Sequence, residues 1–135
     1  MDFGIKGKVA VITGGDSGMG KATAKLLAAE GVKIALIDRT KDELNTTATE
    51  IDKISEAIQV TADLTNLEQV EAAKQQILSH YGAVDILVNC AGITGSTKEF
   101  LELTDQDWYE TIDVDFMSAV RVCRAFIPSM QKQGW

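Results

Sequence analysis

Cysteine, proline and histidine are scarce: two, one and one residue in a chain of 135. Cys90 and Cys123 belong to no C-x-x-C pair, and two thiols do not make a disulfide framework. Both lie among apolar residues, where a buried small thiol is expected. The lone histidine, His80, falls at the end of a helical pattern, where it suits the negative end of the helix dipole. Positive charge is also short. Thirteen Lys and Arg face twenty Asp and Glu, a net charge of −7. Such a surface repels nucleic acid and anionic lipid, so neither is an expected partner. No apolar run approaches membrane-span length, and MDFGIKGK at the N-terminus has no apolar signal core. A cytoplasmic location is therefore the expectation, and no metal site is read from the chain.

What the chain does hold is apolar content. Hydrophobic residues make up 45% of it, enough for one soluble globular domain over 1–135 with a modest core. Short apolar runs alternate with helical patterns. Lys8–Thr13, Lys33–Asp38, Ala57–Thr61 and Val84–Asn89 are rich in Val and Ile and read as strands buried on both faces. Gly18–Glu30 and Leu67–Tyr81 carry helix-spaced apolar residues. Thr40 to Glu43 and Thr65 to Glu68 read as capping boxes, and Gly31 and Gly82 as left-handed helix stops. This order predicts right-handed βαβ units, hence an α/β fold: a doubly wound parallel sheet of Rossmann type.

Thr13–Gly20, TGGDSGMG, lies in the first strand-to-helix turn. Glycine costs conformational entropy on folding, so several together mark a tight turn or a close approach to something. The spacing G-x-x-x-G-x-G, through Gly14, Gly18 and Gly20, would leave amide N–H groups facing an anion at the positive end of a helix. Asp38 ends the second strand. In a doubly wound sheet an acid there can accept hydrogen bonds from both ribose hydroxyls of an adenosine. Loop and acid together predict a dinucleotide site.

With Asp63-Leu64 after the third strand and Asn89-Cys-Ala-Gly92 after the fourth, the sequence resembles the short-chain dehydrogenase/reductase family over essentially its whole length. The resemblance implies roles. Gly14, Asp16, Ser17, Gly18, Met19 and Gly20 would surround a cofactor pyrophosphate. Asp38 would bind the adenosine ribose. Asp63 and Leu64 would flank the adenine, the carboxylate accepting from its amino group. Asn89, Ala91 and Gly92 would line the floor, with Asn89 also tying loops to the sheet. Arg39 could meet a 2′-phosphate, but Asp38 repels one and offers it no donor. NAD is therefore expected, with NADP as the alternative.

Thr104-Asp-Gln-Asp107 reads as the start of one long helix running to about Gln133, with Gly134 as its stop. Trp108, Ile112, Phe116, Ala119, Val122, Cys123, Phe126 and Met130 share an apolar arc, and Asp115 falls inside it. A carboxylate buried there needs a donor partner. The family places an asparagine at this position, holding a water that links the active-site lysine to solvent. Asp115 is thus a candidate catalytic residue whose proton relay departs from the family pattern.

The resemblance also implies a serine and a Tyr-x-x-x-Lys for proton transfer. Tyr81 and Tyr109 are the only tyrosines, and Asp85 and Asp113 stand four residues after them. The chain is accordingly expected to be the cofactor-binding half, truncated after the fourth strand and the following helix, and inactive alone. The parent would move a hydride between a nicotinamide and a small alcohol or ketone. The fourth strand would lack a neighbour, which predicts a homo-oligomer or an aggregation-prone chain. Two other readings are a non-catalytic nucleotide-binding or scaffold protein, and a methyltransferase, against which the Thr-Gly-Gly opening and the NCAG turn argue.

Overall fold

The computed structural model describes residues 2–135. Four strands form one parallel sheet in the order β3-β2-β1-β4. The strands are β1 (Val9–Thr13), β2 (Lys33–Asp38), β3 (Ala57–Thr61) and β4 (Ile86–Asn89). Helices α1 (Gly18–Ala29), α2 (Lys41–Asp52) and α3 (Leu67–Tyr81) alternate with them, and α4 (Asp105–Ile112) and α5 (Ser118–Gln133) follow.

Because strand side chains alternate, the sheet has two cores. On one face Val9, Val11, Ala35, Ile37 and Val60 pack against Val70 and Ile77 of α3 and Val122 and Phe126 of α5. On the other, Ala10, Ile12, Ile34 and Leu36 pack against Ala24 and Ala28 of α1 and Leu44 and Ile51 of α2. Every residue of β1 is buried. β4 is not: Ile86, Leu87 and Val88 are half-buried and Asn89 is exposed. It is also shorter than Val84–Asn89. The cause is its place at the sheet edge, where only β1 pairs with it. Val84 and Asp85 instead serve as anchors. The Val84 N–H donates to Ser129 Oγ of α5 at 3.0 Å. The buried Asp85 carboxylate accepts from the Val9 N–H at 2.9 Å and from Lys8 Nζ at 3.2 Å.

Helix ends depart from the expected boxes. Thr40 precedes α2 but makes no side-chain cap. Asn66, not Thr65, caps α3 by accepting from the Gln69 N–H. Thr65 is turned back to Asp63, so its hydroxyl is engaged elsewhere. The Thr104–Asp107 box does form, reciprocally, and holds the Asp107 carboxyl down to about 2 through the Thr104 hydroxyl and N–H and then Lys98. Gly31, Gly82 and Gly134 all have the left-handed φ expected of helix stops.

The long helix is broken. A π-helical turn, Asp113–Met117, separates α4 from α5. Such a turn inserts a residue into the helical count and rotates everything beyond it. The apolar arc therefore does not stay on one side. Val122 and Phe126 are buried, whereas Trp108, Ile112 and Phe116 are 48%, 48% and 64% exposed. Asp115 sits in the π turn and is exposed too, so it is not a buried carboxylate. Cys90 and Cys123 are half-buried rather than enclosed. His80 does end α3, where its Nε2 lies 3.0 Å from Glu56 Oε1.

Candidate functional site

The sheet order places β1 between β2 and β4, so the helices after β1 and β4 leave on opposite faces. A crevice opens at that switch point, outside the carboxyl ends of the strands. It is a groove of about 760 Å³. Gly14, Asp16, Ser17, Gly18, Met19, Gly20, Asp38, Arg39, Asp63, Leu64, Ala91 and Gly92 all line it. Asn89 and Asp115 do not. Asn89 Nδ2 lies 3.5 Å from Cys123 Sγ, on the α5 side. Asp115 Oδ1 instead accepts from the Ile93 N–H at 2.7 Å, which pins the backbone just beyond Gly92.

The glycine loop is fixed by close packing. A Cβ on Gly20 would stand 2.1 Å from the Gly14 carbonyl oxygen, and one on Gly14 2.7 Å from that of Cys90. Gly14 also has φ +66. Gly18 differs: φ is +52, and nothing lies within 4 Å of its would-be Cβ, so that side of the loop faces open space. Ser17 stands at the N-cap of α1 without capping it. Its hydroxyl donates to Asp16 Oδ1 at 2.9 Å. No side-chain cap therefore occupies the first turn of α1, where the helix field is positive.

Asp38 closes one end of the groove. Its Oδ1 accepts the Arg39 N–H at 2.7 Å and the Thr40 N–H at 3.3 Å. Burial, and then the negative charge of Asp16, push its carboxyl above the usual range in spite of those two donors. Asp63 is shifted the other way. The Thr65 hydroxyl and N–H hold its carboxyl below the ordinary range, aided by the charges of Arg39 and Arg121. Its Oδ1 is thus committed within the protein.

Some contributors carry no clear sequence signal. Thr13, 1% exposed, accepts both the Cys90 N–H at 3.1 Å and the Ala91 N–H at 3.2 Å through its hydroxyl. This latches the end of β1 to the loop after β4. Arg121 lies on α5. Its guanidinium reaches the Leu64 carbonyl at 3.2 Å and Asp113 Oδ1 at 2.5 Å. A contact spanning 57 residues leaves no local pattern. Tyr109 and Ser118 also line the groove, from α4 and α5.

The family model for short-chain dehydrogenases matches residues 8–135. The chain belongs to that family. An uncharacterized oxidoreductase of Staphylococcus haemolyticus is 38% identical, over 96% of this chain and 55% of its own length. L-sorbose reductase from Gluconobacter frateurii, solved with NADPH and L-sorbose, is 40% identical with a TM-score of 0.93, over 99% of this chain and 51% of its own. A xylitol dehydrogenase bound to NAD+ is 28% identical with a TM-score of 0.92, over 97% and 51%. This short-chain dehydrogenase sequence spans about half the length of the relatives it matches. Among the described residues, no helix is long and apolar enough to cross a membrane.

Proposed function

We propose that the groove binds the adenosine diphosphate part of NAD, and that the chain supplies the cofactor-binding half of an oxidoreductase acting on a small alcohol or ketone. The single observation behind this reading is the junction of an uncapped α1 N-terminus, an open Gly18 and a carboxylate at the end of β2, all on one groove. The residues fit the group. The first amides of α1 would receive the pyrophosphate, and Gly18 leaves room for it. Asp38 would accept from the adenosine ribose, and Asp63 and Leu64 would flank the adenine. Ala91 and Gly92 would form the floor, held in place by Thr13 and by Asp115 at Ile93.

A bound nicotinamide supplies hydride transfer; the protein supplies binding and orientation. NAD is favoured over NADP because Asp38 occupies the position a 2′-phosphate would crowd. Asp115 is a positioning residue in this account, acting through the backbone of Ile93. The exposed apolar residues of α4 and the π turn would associate with a second copy. Titrating NAD+ into the chain tests binding, and adding small alcohols while watching for NADH absorbance tests chemistry. We expect binding without turnover, since no Tyr-x-x-x-Lys lies within these residues. Sustained NADH formation would contradict that division of labour.

A further inference from the structure

We propose that Asp16 is a second discriminating carboxylate, which acts with Asp38 to turn away dinucleotides carrying a 2′-phosphate. This rests on the groove being a dinucleotide site. It goes beyond the role of Asp38, because one carboxylate suffices to accept from two ribose hydroxyls.

The position of Asp16 is built rather than incidental. Its carbonyl accepts from Thr47 Oγ1 of α2 at 3.2 Å, and its carboxylate accepts from the Ser17 hydroxyl. Gly15, just before it, is pressed onto β2: a Cβ there would meet the Leu36 side chain at 2.8 Å. Asp16 is thus tied through its backbone to α2, next to a glycine that packs on β2, and Asp16 and Asp38 both line the groove. Their charges interact, since Asp16 helps to raise the Asp38 pKa.

A 2′-phosphate would bring about −1.5 to −2 charges into this corner. The groove offers little relief. Asp63, Glu110 and Asp113 also line it, and Arg39 is the one cation among the described lining residues. The influence of Arg39 falls on Asp63, toward β3, and the residue also lines a smaller neighbouring pocket. A lone carboxylate at the ribose leaves that guanidinium free to rescue a phosphate. Two carboxylates outweigh it.

NAD+ and NADP+ are titrated separately into the 135-residue chain and into its Asp16→Asn, Asp16→Ser and Asp38→Asn variants, with circular dichroism to confirm folding. The wild type should prefer NAD+. Either Asp16 variant should shift the affinity ratio toward NADP+ by about tenfold. Added salt should narrow the preference of the wild type more than that of the Asp16 variants, because screening acts on charge and not on shape. A ratio unchanged in both Asp16 variants, or a wild type that prefers NADP+, overturns the proposal and leaves the dinucleotide reading standing. Failure of the wild type to bind either nucleotide overturns both.

Discussion

The two flanks of β1 are built from similar residues and end up in different environments. On the β2 side, Ile34, Ala35, Leu36 and Ile37 are completely enclosed, with α2 and β3 beyond them. On the β4 side, Ile86, Leu87 and Val88 are just as apolar but half-exposed, and Trp108, Ile112 and Phe116 stand in solvent. Apolarity specifies what a segment can bury; a neighbour decides whether it does. The groove lies on the seam, with the glycine loop and Asp38 on the finished flank and Ala91 and Gly92 on the open one.

The sharpest way to break this contrast is to disturb the seam. Gly20→Ala should be the most damaging single change, because its methyl has to displace the Gly14 backbone. We expect a loss of at least about 3 kcal/mol of stability and of detectable NAD+ binding, read by denaturant titration and calorimetry. Gly134→Ala, also at positive φ but facing open space, should cost only about 1 kcal/mol.

A second pair compares the flanks directly. Phe126 is completely buried under the sheet, and Phe126→Ala should cost about 3–5 kcal/mol. Trp108→Gln, on the open flank, should change stability by no more than about 0.5 kcal/mol. It should instead reduce self-association, measured by sedimentation. An equal cost at both positions would mean that the open flank is covered in solution even in the monomer.

The smallest effect concerns Asp38. Its folded pKa is raised, so the folded state holds that proton more tightly than the unfolded state does. The charged carboxylate therefore costs stability above the folded pKa, and the cost disappears as pH falls below the unfolded value of about 3.9. Asp38→Asn should raise the melting temperature slightly at neutral pH, with no gain at pH 3, while weakening NAD+ binding. A lower melting temperature at neutral pH would show that the Arg39 and Thr40 hydrogen bonds outweigh the burial.

How much of this was legible in the residues depended on the range of the interaction. The alternation of strands and helices, the glycine loop and the helix stops at Gly31 and Gly82 follow from local chemistry, and β2 and α3 match their expected limits. The groove gathered twelve of the expected residues because a βαβ sheet brings strand ends together. Asn89 and Asp115 fell outside it. Thr65 and Thr40 misled because a nearby aspartate competes for their polar groups, and the cap passes to Asn66 or is left unmade. The π turn was invisible to a fixed helical period, and it undid the inferred burial of Asp115. Arg121 and Thr13 act across distances that no local pattern records.

The most direct test is an amide NMR titration of the isotope-labelled chain with NAD+. The account predicts saturable shifts concentrated at Gly14–Gly20, at Asp38 and Arg39, and around Ala91 and Gly92, with the amides of Gly18 to Gly20 moving most. Shifts clustered on α4 and α5 alone, or none at millimolar nucleotide, would contradict it.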